Sequence, residues 1–386
     1  KEEFMTLRDA GRIDWIYLKG EPRYFLRFFS TLLKTDPAIK ARAVKGDGAM
    51  SQGEDTDEDE EKKKRGGESL LDRCMHKMQR EGHFAVENTI KAGVRVNDAS
   101  FVPGKKLCVH IPIPIPTDAQ SDIKLISFSD EPKYIAPEDA AQRTVYFERA
   151  AQENREFFVE YSYVQTARYT DVSKLVPAPQ QPCFFTGEQN PHIVFTPYIK
   201  ALTAQVTEGA ADNLEKARRI FGFITKNVNY SFMRLYFGLE NIAENAARNF
   251  KGDCGVQALL FITMCRAAGI PAKWESGLDA EPSSVGAHDW TRFYIAPYGW
   301  LWADPSFGGS AYRAGNEERR WHYFGNLDPY RMVANREFQA PLDPPKKQWR
   351  GDPYDNQVGE VEYEDKGLRW TEYVREQTMT SHRELD

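Results

Sequence analysis

The chain has 386 residues, of which 41% are hydrophobic, 28% charged and 13% aromatic, and carries a net charge of -6 at pH 7. That length predicts about two or three domains, and the composition is that of a soluble globular protein. The negative charge argues against a nucleic-acid partner, which wants a basic face, and no apolar run approaches the roughly 18 residues of a membrane span.

In chain order, residues 1–43 read as a helical segment. Pro22 stands where a first-turn proline belongs, and Phe25, Phe28, Phe29, Leu32 and Leu33 recur at helical spacing until Asp36-Pro37. Such an aromatic stripe is expected to cap the rest of the protein. Residues 44–72 read as a linker: "GEDTDEDEEKKKRGG" is acid followed by base, flanked by glycines, with nothing apolar to bury. Cys74, His76 and His83 follow at a spacing that fits no standard zinc pattern, so they are expected to be incidental to a helix.

Over 73–180 the hydrophobic period changes to two. "HFAVENTIKAGVRV", "KLCVHIPIPIP", "TVYFERA" and "REFFVEYSYVQTARY" are separated by turn residues, as in an antiparallel sandwich or Greek-key domain. The prolines of "IPIPIP" predict a strand that runs along an edge or leaves the sheet. A core domain over 181–340 begins after "VPAPQQP". Within it "NLEKARRIFGFITKNVNY" is an amphipathic helix, "CGVQALLFITMCRA" a helix apolar on every side, and "HDWTRFYIAP" and "GWLWADPSFG" are strands. Residues 341–386 form a polar extension, with a hairpin turning at Lys366-Gly367.

The five cysteines (Cys74, Cys108, Cys183, Cys254 and Cys265) are odd in number and scattered, which is no disulfide framework. A free thiol suits a reducing compartment, and cytoplasm is the expected location. Because the chain opens on Lys1, an upstream segment removed before export stays open. Cys254 is the informative one. Asp253 is a good N-cap, so Cys254 falls in the first turn of the buried helix, where unpaired N–H groups and the helix dipole favour thiolate and can receive an oxyanion. The reading is therefore of a thiol more acidic than usual. Cys265, further along the same helix, reads as core. A thiolate needs a base, and the base an orienting group. His288 comes 34 residues later and Asp304 another 16, on two strands that should be neighbours. With a four-residue loop over 296–299, Thr291 would lie opposite Asp304 and His288 a diagonal step away.

These residues carry a resemblance. "GDC" opening an apolar helix that ends "RAAGIPA", then "HDW", then "GWLWADPSFG", resembles the transglutaminase-like superfamily of papain-like cysteine enzymes, and "HIPIPIPTDA" resembles the N-terminal β-domain of its bacterial members. The resemblance implies an α+β fold: a transglutaminase-like core with a buried central helix on an antiparallel sheet, preceded by a β-sandwich-like domain. It implies Cys254 as nucleophile, His288 as base and then acid, and Asp304 as the group holding the imidazole. It also implies that Trp290 walls the cleft and that Tyr230 stands near the oxyanion hole. The expected activity is hydrolysis of a peptide or protein amide through an acyl-enzyme, with no cofactor and no metal, since the acidic run at 54–61 has no EF-hand spacing. A cross-linking transglutaminase, and a binding or scaffold module on the same frame, are the alternatives.

Overall fold

The computed structural model describes residues 2–36, 38, 39, 41, 42, 68–150, 152–352 and 354–385; most of the linker read from the acid-then-base run lies outside them. The chain opens with helix α1 (Glu2–Asp9), a hairpin of β1 (Trp15–Leu18) and β2 (Glu21–Tyr24), and helix α2 (Phe28–Thr35). This corrects the helix expected after Gly20. Pro22 lies in a strand opposite Tyr17, and Lys19 and Gly20 turn the hairpin with φ of 53° and 78°, the mirror-image turn that matches strand twist. Phe28, Leu32 and Leu33 then close a small core of their own with Phe4, Leu7, Ile13, Tyr24 and Ile39. The segment is tied to the core domain by Lys251 Nζ to Asp14 Oδ1 at 2.9 Å and by the Arg27 guanidinium 3.5 Å from the Phe232 ring centroid.

Helix α3 (Leu70–Glu81) is capped by Ser69 and closed by left-handed Gly82, and it buries Cys74 and Met78 against Phe84 and Tyr330. The strands β3 (His83–Val96), β4 (Lys106–Pro112), β5 (Gln120–Phe128), β6 (Tyr134–Ile135), β7 (Thr144–Ala150) and β8 (Phe157–Arg168) follow. Helices α4 (Pro197–Val206), α5 (Asn213–Asn227) and α6 (Ile242–Asn249), with the short strands β9 (Asn229–Tyr230) and β10 (Lys251–Gly252), lead into α7 (Cys254–Ala267). Next come β11 (Ala272–Glu281), β12 (Ser284–Ile295), β13 (Gly299–Ala303), α8 (Pro305–Arg313), α9 (Glu317–His322), β14 (Phe324–Gly325) and β15 (Arg331–Asn335). The tail supplies β16 (Glu360–Tyr363), β17 (Lys366–Gly367) and β18 (Tyr373–Leu385).

The architecture is α+β. A sandwich of two antiparallel sheets, β17-β16-β4-β7-β6 and β18-β3-β8-β5, stands beside a third antiparallel sheet, β14-β13-β12-β11-β15. Inside the sandwich Ile90, Val109, Phe147, Val159 and Tyr161 interdigitate. The proline run leaves its sheet after Pro112, and the amides of Ile113 and Ile115 donate to Arg143 O and Val333 O instead. The tail hairpin turns at Glu364 and Asp365, because Lys366 already pairs with Tyr363, which corrects the turn read at Lys366-Gly367. Its second half does not fold back on it either: β18 runs along the open edge of β3 from Tyr373↔Val96 to Leu385↔Ala85, where far more ladder bonds are available than beside the short β17.

Helix α7 is the centre of the core domain. Val256, Leu259, Leu260, Phe261 and Met264 pack against α5, α6 and the third sheet, with Phe221, Ala246, Phe293 and Phe324 among their neighbours. Leu278 and Ala280 of β11 and Met332 and Ala334 of β15 turn the other way and join the sandwich core. Strand alternation thus lets one sheet serve two cores.

Candidate active site

Asp253 and Cys254 stand at the head of α7. Asp253 caps the helix by accepting from the Val256 amide at 3.1 Å and from the Tyr236 hydroxyl, and Cys254 is half-buried in the first turn. The thiol donates to Asp289 Oδ2 at 3.3 Å. Gly255 is required for this approach: a Cβ there would stand 2.5 Å from Tyr236 Oη and 2.7 Å from Asp289 Oδ2.

The thiol is not more acidic than usual, which corrects the expectation drawn from the helix terminus. Burial first, then the Asp289 and Asp253 carboxyls, push it well up, and the Asp289 main-chain N–H opposes them only in part. Desolvation disfavours the charged form, and two neighbouring acids add to it. The same burial pushes Asp253 up to about 6. It raises Asp289 well above its ordinary range too, with Asp355 and Asp253 adding to it, while Gln357 Nε2 donates to Asp289 Oδ1 at 2.6 Å.

His288 and Asp304 meet because of a register detail. β12 pairs with β13 from Ile295↔Gly299 to Thr291↔Ala303, so the loop is 296–298 and not the four residues expected. A slip of one residue moves a side chain to the other face, and Asp304 comes to the face that carries His288 and Trp290. His288 Nε2 and Asp304 Oδ2 are 2.7 Å apart, with both side chains almost fully buried. Asp304 also caps α8, its Oδ1 accepting from the amides of Ser306 at 3.1 Å and Phe307 at 3.0 Å. Burial would raise this carboxyl, but His288, Arg331 and the Phe307 N–H together hold it below its ordinary value.

The imidazole is held between Phe307, at 4.7 Å between ring centroids, and Trp290, at 6.0 Å and 28°. Trp290 is fully buried and its Nε1 donates to Glu275 Oε2 at 3.0 Å, so it backs the imidazole and does not wall an open cleft, as was expected of it. Tyr230 pairs with Gly252 in the short β9–β10 ladder, its ring edge-on to Phe232. Sequence reasoning passed over four residues of this neighbourhood: Asp289, Tyr236, Gln357 and Arg331. Asp289 stands inside the quoted "HDW" and shares a strand with His288. Arg331 was legible as a lone charge heading the apolar run "RMVA"; Tyr236 and Gln357 leave no local signal.

Residues 200–305 match the model of the transglutaminase-like superfamily, an interval that contains Cys254, His288 and Asp304. This stretch is a transglutaminase-like domain. Among solved structures, a candidate cysteine protease from Cytophaga hutchinsonii is similar at 15% identity and a TM-score of 0.46, over 78% of this chain and 91% of that one. The periplasmic domain of TgpA from Pseudomonas aeruginosa is similar at 15% identity and a TM-score of 0.30, over 66% and 96%. No curated protein matches the chain. Among the described residues, no group of three or more His, Cys, Asp or Glu side chains is placed to hold a metal ion, and no helix is long and apolar enough to cross a membrane. The strand β15, with Arg331, lies beyond the matched interval of the transglutaminase-like domain.

Proposed function

We propose that the transglutaminase-like domain is a cysteine-dependent amide hydrolase acting on a peptide or protein substrate, with Cys254 as nucleophile, His288 as base and Asp304 as the orienting carboxylate. One observation carries this reading. The consecutive residues His288 and Asp289 of β12 reach Asp304 at 2.7 Å and Cys254 at 3.3 Å, so one strand links the His288–Asp304 pair to the head of α7. With Nε2 engaged by Asp304, Nδ1 is the nitrogen left to take the thiol proton.

The sulfur then bonds to the amide carbonyl carbon, and the π electrons move to oxygen, which the Cys254 and Gly255 amides at the head of α7 receive. Collapse breaks the C–N bond, the imidazolium protonates the departing amine, and a thioester remains. Water activated by the same imidazole attacks it, releasing acid and thiol. The bond from Cys254 to Asp289 describes the resting site, and an entering substrate displaces it.

Incubation with a peptide library, followed by acid quench and mass spectrometry, is expected to show a thioester on Cys254 that is absent in Cys254→Ala. With water and a primary amine offered together, the free acid should predominate. A predominant amine adduct at modest amine concentration would mean a cross-linking transferase instead. A thiol that neither acylates nor reacts with iodoacetamide would leave a scaffold module.

A further inference from the structure

We infer that Arg331 is a positioning residue: it keeps the buried Asp304 ionised while His288 is neutral, and so holds the imidazole in the tautomer that can accept the thiol proton. This rests on the roles proposed above for His288 and Asp304. Arg331 heads β15 and is fully buried. One guanidinium nitrogen stands 3.2 Å from Asp304 Oδ2, the same oxygen that His288 Nε2 reaches at 2.7 Å. The other stands 2.6 Å from Asp328 Oδ2. The guanidinium carbon lies 4.3 Å from the Phe307 ring centroid and 5.5 Å from that of Trp290, the two rings that also hold the imidazole.

The chemistry explains what the guanidinium adds. In the resting site the imidazole must be neutral with its Nδ1 lone pair free, so Nε2 must carry the hydrogen and point it at a charged acceptor. Burial pushes a carboxylate toward the neutral acid, and hydrogen-bond donors and an adjacent positive charge oppose it. A neutral imidazole does not supply that charge, and Arg331, which does not lose its proton, does. The two amide donors on Oδ1 fix the carboxylate's rotation, while at Oδ2 His288 is hydrogen-bonded and Arg331 stands by as an ion-pair partner.

The other charged and titratable groups around the pair leave this assignment standing. Asp328 neutralises the remaining share of Arg331 and is held by the Tyr323 hydroxyl at 3.1 Å. Asp279 is Arg331's cross-strand partner in β11, and burial, which Arg331 opposes, pushes it well up toward the protonated acid. His322 of α9 is lowered to about 4 by burial, so it is neutral near pH 7. Asp289 follows His288 in β12 and is engaged instead by the Cys254 thiol at 3.3 Å and by Gln357 Nε2 at 2.6 Å.

The test is nuclear magnetic resonance on the full chain, reading the Asp304 carboxyl carbon and the His288 ring nitrogens. In Arg331→Met the Asp304 midpoint should rise by about one pH unit or more, and His288 should lose its single Nε2–H tautomer. In Arg331→Lys, which keeps the charge, both should return toward the parent protein. If a substrate has been found, kcat should fall in Arg331→Met with KM retained. Should Arg331→Met fail to fold, Arg331→Gln against Arg331→Lys makes the same comparison with polar side chains. A folded Met or Gln variant with unchanged carboxyl titration and unchanged tautomer would reduce Arg331 to packing and overturn the inference. These readouts need no turnover, so an inert Cys254 would sink the hydrolase reading while leaving this one to be judged separately.

Discussion

At the scale of single residues, the site is a set of buried polar groups in which burial dominates at Cys254, Asp253 and Asp289 and neighbours overrule it at Asp304. Cys254→Ala should abolish turnover with the fold retained, since losing one sulfur at a helix terminus costs little packing. Asp304→Asn should leave partial activity, because it misorients the base without removing it. Asp289→Asn should raise the rate of Cys254 alkylation at pH 7 by about tenfold, since alkylation follows thiolate and one acid that suppresses it is gone; an unchanged rate would mean that burial alone sets the thiol. Asp304 also predicts a pH dependence. Its folded value lies below the ordinary 3.8, so the stability it lends is fully present above about pH 4 and is lost as pH falls through the folded value. Acid unfolding should begin at higher pH in a folded Arg331→Met variant than in the parent, followed by circular dichroism.

At the scale of elements, α7 does two jobs that compete. Its body is apolar on every side and therefore buried, and its first turn must still meet a substrate. Asp253 shows the cost. Its value of about 6 against an ordinary 3.8 means that its share of stability is complete below about pH 4 and is lost as pH rises through 6, an effect of about 2 to 3 kcal/mol. Asp253→Asn keeps a cap and should flatten the stability curve between those limits in urea titrations at stepped pH. Gly255→Ala tests the other job. Its methyl would meet Tyr236 and Asp289, and a destabilisation of about 1 to 3 kcal/mol with loss of Cys254 reactivity is expected; a neutral result would show that the Tyr236 side can move aside freely.

At the scale of the whole molecule, the tail is not an appendage. β18 pairs along nearly all of β3, and β16 pairs with β4, so the last residues supply an edge strand to one sandwich sheet and an inner strand to the other. Through Gln357 the same tail touches Asp289 and the His288 carbonyl. Deleting residues 373–385 should expose the β3 edge and the sandwich core, giving a lower melting temperature and aggregation by light scattering. A deletion variant as stable and monomeric as the parent would show that the sandwich closes without its last strand.

What the amino-acid order settled was local or periodic. The alternation of "HFAVENTIKAGVRV", the all-round apolar helix behind Cys254, the Asp253 cap and the proline exit after "HIP" each depend on residues within a few positions of one another, and each was legible. What it left undecided depended on partners far along the chain. The pairing of Asp304 with His288 hung on one residue of loop length, which flips a side chain between faces. The protonation of Cys254 turned first on how deeply the thiol itself would be buried and then on the carboxyls of Asp289 and Asp253 packed against it, a property of packing that no local pattern carries. The helix read across Pro22 failed because a Lys-Gly turn competed with an aromatic stripe. The role of "RWTEYVREQTMTSHREL" was decided only by the free edge of β3, nearly 300 residues upstream, since strand pairing between distant segments is a long-range choice made by the fold as a whole.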